Sequence, residues 1–249
     1  SSHLMFLMPC SPACLLVSLL AVAVPVAMVA VLVRSKRLLA TGVGAAVVAR
    51  EAGASLVTEG SLTAGGSLTT GGSLANFGAV VTARRTRLPP DFLSGVIYTS
   101  EEAHHSVLKA ALLAGFGRDN IRHVATDAHF AMQPAALRAA ITADLTAGRK
   151  PCAIVATVGT TATTAIDPVK EIAAIAQEFG LWLHIDAAMA GSAMILPECR
   201  FLWDGVEAAD SIVTNPHKWL GVAFDCSLYY VRDPQHLVRV MSTNPSYLR

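Results

Sequence analysis

The sequence predicts an α/β fold in which a mainly parallel β-sheet is covered by helices. Three observations lead there. From residue 96 onward, short apolar runs alternate with segments of helical spacing. Proline stands at the start of one helical segment and glycine at the ends of several. Polar and Gly-rich clusters follow the apolar runs, which is where open parallel sheets bind ligands.

The elements run as follows. Gly-Ser-Leu occurs three times, beginning at Gly60, Gly66 and Gly72. Three copies are too few to stack into a β-helix, so a local duplication beside one functional loop is the simpler reading. The third copy leads into a helix over 78–87, so a Gly-rich turn opens onto a helix N-terminus. A strand is predicted over 96–100. A helix follows over 104–115, with Val107, Leu108, Ala111 and Leu112 on one face. Then come a strand at 121–125, a helix at 134–147 and a buried-type strand at 153–158. The helix at 168–179 takes Asp167 as its N-cap and Gly180 as its stop. Strands at 181–185, 211–214 and 226–231 complete the array.

The bulk numbers exclude several classes. With 249 residues the chain has room for a substantial core. A net charge of +1 and 15% charged residues give no field that would attract nucleic acid. Cys10, Cys14, Cys152, Cys199 and Cys226 are odd in number and scattered. That excludes a secreted disulfide framework and a zinc motif, and suits reduced thiols in a cytoplasmic protein. Residues 1–60 form an atypical N-terminal segment; its apolar run 15–33 is followed by Arg34, Lys36 and Arg37. The run has the length of a membrane span, so membrane association is one reading. A buried core helix, an uncleaved signal-like segment and a sequence foreign to the domain are the others. Residues 61–249 form the main domain.

Four clusters carry candidate chemistry. Gly71, Gly72 and Ser73 precede a helix, where free N–H groups and the helix dipole hold anions. His184 and Asp186 lie two apart on a strand and so share a face. A carboxylate buried there needs a cationic partner. Lys218 lies between His217 and Trp219 just after a strand, as Schiff-base chemistry in a cleft requires. His104 and His105 follow another strand, and one of them is placed to lie flat on a ligand ring. Beside these four, Gly159, Thr160 and Thr161 end a further strand with small hydroxyl residues. Taken singly, each cluster has a bland reading: a plain loop, a structural ion pair or a surface lysine. Together they match the needs of pyridoxal 5'-phosphate (PLP): a lysine for the aldehyde, a carboxylate for the ring nitrogen, an anion cradle and a stacking ring.

The region from about Gly66 to Arg249 also resembles the large domain of group II PLP-dependent decarboxylases, the aromatic-L-amino-acid decarboxylase family. The matching stretches are 70–76, 100–104, 158–161, 184–188 and 215–219, in the family's order and at similar spacing. The resemblance implies the PLP-dependent transferase-like large domain of fold type I, working as a homodimer. It implies decarboxylation of an L-amino acid, nearer the aromatic branch than the glutamate branch, to the amine and carbon dioxide. Other PLP chemistry, such as aldehyde synthesis or transamination, and a non-catalytic PLP-binding homologue are the alternatives. Residue by residue, it implies that Lys218 carries the cofactor, Asp186 pairs with the ring nitrogen and His104 stacks on the ring. Gly72 and Ser73 would hold the phosphate with help from His217. Thr161 and Ala188 would flank the cofactor, and Asn215 would support the lysine turn. Met189 stands where the family usually has an aromatic residue. Residues 1–60 do not resemble the family's N-terminal segment. The family continues past the equivalent of Arg249 with a mobile loop and a small C-terminal domain. The resemblance therefore implies a fragment with little activity of its own.

Overall fold

The structure, a computed structural model, describes residues 65–241. The apolar run 15–33, the first Gly-Ser-Leu copy, Cys10 and Cys14 lie outside the described residues. The strands are β1 (Gly65–Thr69), β2 (Gly95–Ser100), β3 (Ile121–Val124), β4 (Lys150–Thr157), β5 (Trp182–Ala187), β6 (Ser211–Thr214) and β7 (Ser227–Val231). They form one sheet in the order β1-β7-β6-β5-β4-β2-β3. The run from β3 through β2, β4 and β5 to β6 is parallel. β7 pairs antiparallel with both β6 and β1. The sheet is thus mainly parallel, with an antiparallel edge.

Parallel neighbours need crossovers, and helices supply most of them. The helices are α1 (Gly72–Arg87), α2 (His105–Leu113), α3 (Pro134–Thr146), α4 (Val169–Phe179), α5 (Pro216–Trp219) and α6 (Pro234–Met241). Three 3-10 segments, Gly191–Ile195, Pro197–Trp203 and Val206–Ala208, connect β5 to β6. Strand alternation sorts the core into two layers. Ile154, Leu183, Ile185 and Ile212 face α3, α4 and Trp203 of the 3-10 segments. Ala153, Val155, Trp182 and Val213 face α1 and α2, with Leu237 of α6 packed alongside. β2 and β5 are buried along their whole length, as strands covered on both faces must be.

Two copies of one tripeptide adopt different structures. Gly66-Ser67-Leu68 lies in β1, where it pairs with β7, whereas Gly72-Ser73-Leu74 forms the first turn of α1. Tertiary pairing overrides local propensity here. It also moves the helix start from residue 78 back to Gly72. Asp167 is a correction to the sequence reading. It does not cap α4, which follows Pro168 without a side-chain cap. Instead its two carboxylate oxygens accept from the N–H of Met132 at 2.8 Å and of Thr157 at 2.7 Å. It ties the loop before α3 to the end of β4. Burial pushes this carboxyl up to about 6, against the pull of those two N–H bonds.

Asp167→Ala is expected to lower the unfolding free energy by about 1–3 kcal/mol for each N–H left stranded. Urea titration measures it. The raised carboxyl also has a signed effect. Between about pH 4 and about 6 the folded state holds a proton that the unfolded state has released. The group's favourable linkage contribution is therefore full below about pH 4 and lost as pH rises through about 6. The stability difference between wild type and Asp167→Ala should shrink over that window.

Candidate active site

The parallel strands β2, β4, β5 and β6 end on the same side of the sheet, and the N-terminus of α1 comes down beside them. A cavity of about 370 Å³ opens there. It brings together most of the residues singled out from the sequence, but His105, Thr160 and His184 do not line it. Gly72 and Ser73 line it from α1, and His104 from the turn before α2. Thr161 reaches it from beyond β4, and Asp186 and Ala188 from the end of β5. Asn215, His217 and Lys218 reach it from the turn into α5. Met189 lines it too, while His105 is exposed.

The helix end is shaped for an anion. Gly71, the residue before α1, has φ 93°, a left-handed backbone that favours glycine. No side chain caps α1 and no acidic residue lies in its first turn. The first N–H groups of a helix have no intrahelical acceptor, so those of Gly72 and Ser73 face the cavity's end of the helix without one. A Cβ on Gly72 would fall 2.9 Å from Asn215 Nδ2. The Asp225 carboxylate packs against Gly71 and lies 3.8 Å from His217 Nδ1. His217 Nδ1 lies 2.6 Å from the carbonyl oxygen of Cys226 and 3.1 Å from its backbone nitrogen.

Asp186 is 4% exposed. Its carboxylate accepts from Asn76 Nδ2 at 2.9 Å and from the N–H of Ala188 at 3.1 Å. Among the described residues no cationic side chain forms a salt bridge with it. His184, on the same face as expected, bonds Asn76 Oδ1 and Ser211 Oγ, each at 2.9 Å. Burial pushes its ring down to about 4, so it is neutral. His104 is the N-cap of α2. Its Nδ1 accepts from the N–H of Ser106 at 3.3 Å and meets Ser106 Oγ at 2.7 Å. Burial, followed by the neighbouring His105, holds His104 below the usual histidine range.

These features fit PLP. A buried carboxylate held only by amide donors suits a protonated ring nitrogen. The uncapped, glycine-lined helix end suits a phosphate. Asn215 Oδ1 and Thr157 Oγ1 are buried without partners, and both residues border the cavity. Asn76, Ser106, Thr157, Phe224 and Asp225 also line it and were given no role from the sequence, although Asn76, Phe224 and Asp225 lie in stretches that resemble the family. Thr157 was findable in principle, because it stands opposite Asp186 in the β4–β5 register.

Comparison with known proteins agrees. A tryptophan decarboxylase from Camptotheca acuminata is 49% identical over 158 residues, 63% of this chain and 32% of that protein. A phenylacetaldehyde synthase from a Rosa hybrid cultivar is 45% identical over 156 residues, 62% of this chain and 31% of its own length. The chain thus spans about a third of the length of these curated relatives. Among solved structures, Oryza sativa TDC with PLP and tryptamine superposes with a TM-score of 0.78 at 39% identity. That match covers 82% of this chain and 44% of the other. The pyridoxal-dependent decarboxylase conserved domain matches residues 3–249. A match over nearly the whole chain, on a sheet whose strand ends gather the groups PLP needs, makes this chain a member of the pyridoxal-dependent decarboxylase family.

Proposed function

We propose that this chain is the cofactor-binding region of an enzyme that removes the α-carboxyl group of an aromatic L-amino acid, releasing the amine and carbon dioxide. The observation that carries the reading is the convergence of Lys218, Asp186, His104 and the Gly72–Ser73 helix end on one cavity. The tryptophan decarboxylase relative supports the aromatic substrate class.

The residues divide the work. Lys218 would supply the amine that holds the cofactor covalently. Asp186 would pair with the ring nitrogen and favour its protonated form. Gly72 and Ser73 would hold the phosphate with backbone N–H groups and a hydroxyl, with His217 beside them. His104 would stack on the ring, with Thr161, Ala188 and Asn215 around it. When bound, PLP supplies an electron sink for the pair left on Cα as the carboxyl group departs. The protein's own part is to orient the substrate and keep its charged groups in fixed places before reaction.

A second reading has its own observation: the phenylacetaldehyde synthase relative is 45% identical over the same kind of span. On that reading the product is an aldehyde. Two further points belong to the proposal. A homodimer suits the exposed Leu68, Leu74, Trp219, Leu220 and Phe224 on segments that border or adjoin the cavity residues. A reducing, cytoplasmic setting suits Cys152, Cys199 and Cys226, which are unpaired among the described residues. Among those residues no helix is long and apolar enough to cross a membrane.

Borohydride reduction of the PLP-treated chain, followed by peptide mapping, is expected to label Lys218. Labelling at Lys109, Lys150 or Lys170 would remove the assignment. In the full-length protein, aromatic amino acids should yield carbon dioxide and amine; aldehyde as the main product would favour the second reading. Gly72→Ala should displace the Asn215 amide and crowd the phosphate cradle. PLP affinity is then expected to fall roughly tenfold, about 1.4 kcal/mol, with the far-UV spectrum unchanged. Titration of PLP absorbance measures it.

A further inference from the structure

We infer that Asn76 is the positioning residue that sets where protons sit around the cavity, so that His104 offers an Nε2–H and Asp186 offers only lone pairs. The chemical use of that arrangement rests on the function proposed above; the arrangement itself does not.

The argument follows the hydrogen bonds outward from one carboxylate. Ionised Asp186 can only accept. Asn76 must therefore turn Nδ2 toward it, at 2.9 Å, because the flipped amide would set two oxygens against each other. The second hydrogen of Nδ2 goes to Ser106 Oγ, also at 2.9 Å. Ser106 Oγ lies 2.7 Å from His104 Nδ1, and the Ser106 backbone N–H donates to the same nitrogen. A nitrogen that receives a backbone N–H is an acceptor, so Ser106 Oγ turns its own hydrogen to it and the neutral His104 ring carries its proton on Nε2.

The other side of the amide gives the same kind of answer. Asn76 Oδ1 faces His184 Nε2, which must therefore bear hydrogen. His184 Nδ1 faces Ser211 Oγ. That hydroxyl accepts from Trp182 Nε1 at 2.9 Å; with the neutral ring's hydrogen on Nε2, Nδ1 is an acceptor and takes the hydroxyl's own hydrogen. One amide orientation thus accounts for every polar hydrogen from Trp182 to His104. The group is buried: Asn76, Ser106, His184 and Ser211 are each at most 2% exposed. The charged or titratable groups that face His104 are His105 and Lys109 from α2, Asp186 from β5 and Lys218 from α5. Asp186 is the one that acts on His184.

The test is a long-range proton–nitrogen NMR spectrum of the imidazoles in the cofactor-free chain, with His104→Gln and His184→Gln for assignment. In wild type both rings are expected as the neutral Nε2–H form near pH 7. Asn76→Leu keeps the size but removes both donations and the acceptor that faces His184 Nε2. Both rings should then lose their single tautomer. An Nδ1–H form at either ring in wild type would overturn the inference, and so would unchanged signals in folded Asn76→Leu. The wild-type spectrum decides the matter by itself where that variant does not fold. No cofactor is added, so a failure to bind PLP would sink the proposed function and leave this result standing.

Discussion

The structure around the cavity depends on one buried carboxylate. Asp186 is almost fully enclosed, and its hydrogen bonds come from an amide side chain and a backbone N–H, with no salt-bridging cation among the described residues. Burying an ionised group without such donors would cost several kcal/mol. The rest of the site can be read as the arrangement that meets this cost. β5 must end beneath the cavity so that Asp186 points into it. α1 must lie close enough for a side chain as short as Asn76 to reach the strand. The alanines at 75, 79 and 83, spaced by one helical turn, keep that face of α1 thin and are buried against the sheet. A carboxylate supported this way, at a strand end beside an uncapped helix, is ready for a cation that arrives with an anion attached.

Much of this was legible in the sequence, and the limits have physical reasons. His184 and Asp186 share a face because strand side chains alternate, which no tertiary contact can change. Lys218 and His104 follow apolar runs, so their place at strand ends could be read directly. The start of α1 could not, because the same Gly-Ser-Leu tripeptide pairs as a strand in one copy and winds as a helix in the next. Asn76 lies in the matching stretch 70–76, but its role could not be read, because its partners lie 30, 108 and 110 residues away in the chain. Asp167 looked like a cap because it precedes a helix, yet its partners come from two other segments. The 3-10 segments between β5 and β6 lack the apolar periodicity that marks longer helices.

The family resemblance and the local chemistry converge from different directions. The matching motifs are spread over four strand ends and one helix end, and only the fold makes them neighbours. Met189 lies on the cavity wall. A flexible thioether there keeps the wall apolar while allowing it to adapt in shape.

The central claim is that Asp186 is held as an acceptor for the ring nitrogen of PLP. It is tested most directly by the nitrogen-15 NMR shift of ring-labelled PLP bound to this chain. The account predicts a protonated ring nitrogen in wild type and loss of that proton in Asp186→Asn. A ring nitrogen that is unprotonated in wild type, or equally protonated in both proteins, would contradict it.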